Sequence, residues 1–100
     1  MSYEPSALEL ALAAAVGDDP GLVAELRSAF IDSAARHADA MARARSDAEW
    51  QEAALRLKGL AASFGAGRLI ELADEAAAAP RGDAEALAAI ERALAVMGVQ

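Results

Sequence analysis

The chain has 100 residues, a formal net charge of −7 and no cysteine. That length allows one domain with a single modest core. The missing cysteine excludes a disulfide framework and a cysteine metal site, and the acidic balance argues against a general nucleic-acid surface. Alanine fills 30 of the 100 positions, and 4% of the residues are aromatic. Alanine is the strongest helix former, so composition alone points to an all-α protein.

Met1-Ser2-Tyr3-Glu4-Pro5 lacks the basic start and apolar core of a signal peptide. No apolar run approaches the ~20 residues that span a bilayer. A cytoplasmic location with no membrane contact is the expectation. Ser6-Ala7-Leu8-Glu9 reads as a capping box and opens a short helix over 7–16. Gly17-Asp18-Asp19-Pro20 ends it, and Asp19 caps the next helix with Pro20 at its first position. This second helix is predicted over 20–45. Its inward stripe is Leu22, Leu26, Phe30, Ala34, His37, Met41 and Ala44.

Ser46-Asp47-Ala48-Glu49 is a second capping box and opens a helix that runs to about Gly65. Trp50, Ala53, Ala54, Leu57, Leu60, Ala61 and Phe64 recur at the spacing of a core-facing stripe. Leu55 is out of phase with them and faces water beside Gln51, Glu52, Gly59 and Ala62, with Lys58 on one flank and Ser63 on the other. Gly59 costs a helix interior ~1 kcal/mol relative to alanine, a cost worth bearing where something must approach closely. Gly65-Ala66-Gly67 turns the chain into a helix over 68–78, striped by Leu69, Leu72, Ala73 and Ala76. Pro80-Arg81-Gly82 breaks it, and Asp83 caps a last helix to about Met97 with Leu87, Ile90, Leu94 and Met97 inward. Short loops between helices favour antiparallel neighbours. The expected fold is an up-and-down antiparallel four-helix bundle with a short extra N-terminal helix, as a single domain over 1–100.

Arg56-Leu57-Lys58-Gly59, Ala61-Ala62-Ser63 and Gly65 resemble the signature helix of the histidine-containing phosphotransfer (HPt) domains of bacterial phosphorelays. That family carries a His-x-Leu-Lys-Gly motif followed by small residues and a glycine. The Asp19-Pro20 opening and Phe30 are also similar to it. The resemblance implies the same bundle over most of the chain. It implies a partner that is a response-regulator receiver domain or a sensor kinase. It also places Leu55 where the family has its phospho-accepting histidine. Leucine has no nitrogen to phosphorylate, so the resemblance implies docking without relay through this position. The partner-binding set is Gln51, Leu55, Lys58, Gly59, Ala62 and Ser63. In the family the lysine neutralises charge near the phosphoryl group, and here Lys58 is expected to attract the acidic pocket of a receiver.

Enzyme readings find no support in the residues. No nucleophile, base and acid constellation is present, and no cofactor is expected. The pairs Asp18-Asp19 and Asp74-Glu75 read as a cap and as solvated helix exterior. His37 is the only histidine, and one histidine does not make a zinc site; it reads as a structural residue in or at the edge of the bundle. Two other functions stand beside the HPt-like docking module. One is a plain helical interaction or dimerisation protein, and the other is a phosphotransfer protein that uses His37.

Overall fold

The computed structural model describes residues 10, 12–14, 17 and 19–98. Four long helices follow one another: α1 (Pro20–Ala42), α2 (Asp47–Ser63), α3 (Gly67–Ala78) and α4 (Ala84–Gly98). Leu10 and residues 12–14 are also helical, and Leu12 is fully buried in the bundle core. The rest of the short helix expected over 7–16, with its Ser6/Glu9 capping box, lies outside the described residues. The fold is all-α, with short connections and antiparallel neighbours. α2 packs on α1 and α3, and α4 packs on α3 and α1, which closes the ring. α2 and α4 therefore stand on opposite corners of the bundle.

The helix starts follow from their caps. Asp19 is extended, and its carboxylate accepts the N–H groups of Gly21 and Leu22 at 2.9 and 3.2 Å. Ser46 is also extended, and its hydroxyl accepts Glu49 N–H at 3.1 Å. The reciprocal half of that box is shifted by one residue, because the Glu49 carboxylate accepts from Arg45 N–H at 3.3 Å. Asp83 accepts Ala86 N–H at 3.0 Å. α1 ends at Ala42, short of the expected 45. The extended backbone that Ser46 needs as a cap forces the helix to stop, and Arg43 turns the chain first. α2 ends in a Schellman motif. Gly65 takes φ +66°, Ala66 N–H bonds to Ala61 C=O at 2.9 Å, and Gly65 N–H bonds to Ala62 C=O at 3.2 Å.

The core is largely alanine, with a few large side chains wedged between close-packed helices. Trp50, Phe30, Leu12, Met41, Leu57, Leu69 and Ile90 are its largest fully buried members. Trp50 does more than fill space. Its indole N–H donates to Ala76 C=O at 2.8 Å, a carbonyl in the last turn of α3. This satisfies the one polar atom of the buried ring and ties the start of α2 to the end of α3. At the same end, Arg81 N–H reaches the Asp47 carboxylate at 3.3 Å and the Arg81 guanidinium reaches Ala44 C=O at 3.4 Å, joining the α3–α4 and α1–α2 loops. Phe30 and Phe64 meet with ring centroids 4.9 Å apart. The stripe of α3 is buried as expected, whereas other expected core positions differ. Leu22 is exposed, and Leu26, His37, Ala44, Leu60, Phe64, Leu87 and Met97 are half-buried. The inward position in the first turn of α1 is taken by Val23, which packs against the core, and that turns Leu22 outward.

Candidate functional site

α2 is organised by the burial of Trp50, Ala53, Ala54, Leu57 and Ala61. That stripe fixes the rotation of the helix and sends the opposite face to solvent. Gln51, Leu55, Gly59 and Ala62 form that outer face, and all four are exposed. They follow one another at helical spacings of four, four and three, so they lie in one row along the helix. Leu55 is 47% exposed, one of few large apolar side chains so open among the described residues. Gly59 follows it by one turn. A Cβ built there would meet nothing within 4 Å, so nothing in the chain itself requires a glycine at this position.

An ion pair borders the row on each side. Toward α1, Arg56 holds Glu52 at 2.7 Å, and both side chains are exposed. Toward α3, Lys58 Nζ holds Asp74 Oδ1 at 2.8 Å across the helix interface. The Lys58–Asp74 pair was not legible in the sequence. Asp74 reads there as solvated exterior, and only the packing of α3 against α2 brings it opposite Lys58. Lys58 is half-buried rather than fully open, and its ammonium is already partnered. Ser63, the last helical residue, donates its hydroxyl to Gly59 C=O at 3.1 Å, an i−4 back-bond that engages its proton within the helix. The six sequence-predicted residues are thus brought together on one face. Leu55 and Gly59 form its low apolar centre, and Lys58 and Ser63 lie at its flanks.

His37 occupies a different position from the one its phase suggests. The buried row of α1 is Phe30, Ala34, Ala38 and Met41, which leaves His37 at the bundle edge, half-buried in a cleft of about 200 Å³ between α1 and α2. Glu49, Glu52, Ala53 and Arg56 line the cleft with it. Burial of the ring, followed by the charges of Arg56 and Arg36, lowers the His37 pKa below its ordinary 6.5, so the imidazole is neutral at pH 7. Among the described residues no group of three or more His, Cys, Asp or Glu side chains is placed to hold a metal ion.

The face can make contacts, but Leu55 offers no nucleophile and no proton-transfer group at its centre. The face consists of an exposed leucine, an open glycine beside it and the cation of an ion pair on each flank, Arg56 and Lys58. No helix among the described residues is long and apolar enough to cross a membrane. Comparisons with family models, with curated proteins and with solved structures find no match for the chain.

Proposed function

We propose that this protein is an HPt-like docking module that binds a receiver domain or a sensor kinase through the outer face of α2 and carries no phosphoryl group at Leu55. The observation that supports it most is the side-by-side placement of exposed Leu55 and open Gly59 on a helix whose remaining large apolar side chains turn inward. A partner helix laid across this row would cover Leu55 and approach the backbone at Gly59 without a steric barrier. Lys58 lies on the flank of that contact. The acidic pocket of a receiver would compete with Asp74 for its ammonium, which adds to encounter rate and orientation more than to affinity.

Function of this kind is competition or sequestration, since a partner held on this face is unavailable to a histidine-bearing rival. The test is a binding titration of the purified protein against a panel of receiver and kinase domains, alongside Leu55→Asp and Lys58→Glu. Binding to a receiver or kinase that Leu55→Asp weakens at least tenfold, roughly the loss of one well-placed interface contact, and whose association Lys58→Glu slows, would bear the proposal out. Binding that neither substitution changes would place the contact elsewhere. Phosphate uptake by the unsubstituted protein would refute the docking-only reading and return attention to His37.

A further inference from the structure

α4 packs one side against the core, with Leu87, Ala93 and Met97 half-buried beside its buried residues, and turns the other side to solvent. Only Ile90 and Leu94 of its residues are buried, although Glu85, Glu91 and Arg92 are its only charged residues. At ~100° per residue, the direction opposite Ile90 and Leu94 is occupied by Glu85, Ala88, Arg92, Ala95 and Val96, with Ala88 half-buried and Ala89 half-buried at the edge of the strip, where it also touches the core. Val96 is 64% exposed. Beside this strip, a groove of about 440 Å³ between α3 and α4 is floored by Leu72, Ala93 and Met97 and rimmed by Arg68 and Arg92. The outward face of α4 is therefore a row of small apolar side chains carrying one acid and one base. Those two groups pair with each other at 3.0 Å, and both are largely exposed.

The spacing of that pair identifies an occupant. Glu85 and Arg92 lie about two turns apart on the same line of the helix, with Ala88 and Ala89 midway. Under a two-fold axis through that midpoint, an antiparallel second α4 sets its own Arg92 against Glu85 and its own Glu85 against Arg92. The face is complementary to itself, as an isologous contact requires. Alanines at the crossing let the axes approach to ~8 Å, the close end of helix packing. The pair within one chain reaches over Ala88 and Ala89, so in the dimer each Arg92 exchanges its own Glu85 for the partner copy's and uncovers the crossing. We propose that α4 is the interface of a homodimer in which two copies pack antiparallel about Ala88 and Ala89.

A helix pair about 22 Å long buries less than the ~1,600 Å² of a standard interface, so the dimer is a weak, reversible one. It leaves the proposed docking face free, because α2 stands at the corner of the bundle opposite α4. Loss of dimerisation and loss of partner binding are thus separable. Sedimentation equilibrium from about 10 μM to 1 mM covers the range in which so small an interface dissociates. Four variants accompany the natural protein: E85R, R92E, the double swap E85R/R92E, and Ala88→Glu. All are at positions on the side of α4 away from the core, and circular dichroism reports whether each retains its helix content.

The expected result is a monomer–dimer equilibrium that each single swap and Ala88→Glu weaken at least about tenfold, as like charges or a carboxylate at the crossing would. The double swap restores it, because it re-creates the complementarity with the signs reversed. A second measurement is independent of charge. The chain has no cysteine, so a lone Ala89→Cys should form an inter-chain disulfide under mild oxidation far faster than a lone Ala62→Cys on α2. A monomer at every concentration would overturn the proposal. So would a dimer that ignores Ala88→Glu, a double swap as weak as the single ones, or equal cross-linking from the two cysteine variants. A partner of another sequence captured through α4 in place of a second copy would overturn it too.

Discussion

Replacing Leu55 by histidine tests the docking face and its missing chemistry in one step. Leu55 is 47% exposed. Complete burial of a leucine is worth ~1.5–3 kcal/mol, so the half that is covered contributes roughly 1 kcal/mol. Histidine regains part of that through its ring and costs ~0.5 kcal/mol in helix propensity. The variant should therefore be destabilised by about 1 kcal/mol, which for a domain of this size lowers Tm by ~4–8 °C. The imidazole would stand one turn before Gly59, where a Cβ would meet nothing within 4 Å, and the phosphoryl group is expected to use that open space. The ring would also lie one turn from Lys58. A phosphoryl group brings ~1.5–2 negative charges against the single charge of Asp74, so Lys58 should leave its 2.8 Å pair with Asp74 and turn to the phosphate. Leu55→His is expected to accept acid-labile phosphate from a phosphorylated cognate receiver, while the natural protein accepts none. A thermal melt checks the fold, and phosphate transfer is read on the purified pair. A variant that keeps its melt and binds the receiver but takes up no phosphate would refute the geometry assigned to Gly59 and Lys58. Uptake by the natural protein would refute the assignment of the acceptor position.

Leu57→Ala, two residues away but fully buried, should cost ~2–5 kcal/mol in urea unfolding, as a leucine-sized core truncation does. A loss under 1 kcal/mol, about the size of an ordinary surface change, would mean that α2 is rotated from the orientation described. Lys58→Ala and Asp74→Ala should each change stability by less than about 0.5 kcal/mol, because the pair is half in solvent. Their effects on receiver association should be opposite, slower for Lys58→Ala and equal or faster for Asp74→Ala, as stopped-flow rates at two salt concentrations would show. His37 has a pKa held below its unfolded value by burial, Arg56 and Arg36. Its contribution to stability is thus present above the unfolded pKa near 6.5 and is lost as pH falls through the lower folded value. His37→Gln should flatten that part of the pH–stability curve, and a curve unchanged by the substitution would contradict the assignment. The same variant should leave receiver binding intact.

Where the sequence was informative, it was because local chemistry and tertiary packing agree. Asp19, Ser46 and Asp83 cap helices in the structure as their side chains and positions predict, and the row Leu69, Leu72, Ala73, Ala76 is buried throughout. α1 was harder because it is so rich in alanine. Its predicted stripe matches the structure at Phe30, Ala34 and Met41, which are buried, but inward and outward alanines are interchangeable to a periodicity argument, so it runs through Leu22 and His37 where the structure uses Val23 and Ala38. The Lys58–Asp74 bridge, the Trp50 hydrogen bond to Ala76 and the clasp of Arg81 on Asp47 and Ala44 join residues far apart in the chain. Nothing in the local pattern encodes such pairings; they arise only once the helices choose neighbours.

Gly59 is the residue on which the docking reading is most exposed to test. It lies four residues before the end of α2, with helical backbone and no positive φ. The chain does not need glycine there for a turn, and a methyl group at that point would meet nothing within 4 Å. Gly59→Ala should therefore stabilise the protein by about 0.5–1 kcal/mol, chiefly by restricting the unfolded chain and improving helix propensity. The sequence has 30 alanines and a glycine at this permissive position, and in the docking proposal that glycine serves contact with a partner. If that contact is the close approach of a partner helix over the row Leu55–Gly59–Ala62, the alanine variant should melt higher and bind its receiver or kinase more weakly. The added methyl would hold the partner backbone away from α2 and lift it off Leu55. Should the variant gain stability and bind unchanged, close approach at Gly59 is not part of recognition, and the contact rests on Leu55 alone. Should it lose stability, the space beside Gly59 is already occupied in solution by this chain itself, and the outer face of α2 is not the open shelf that docking requires.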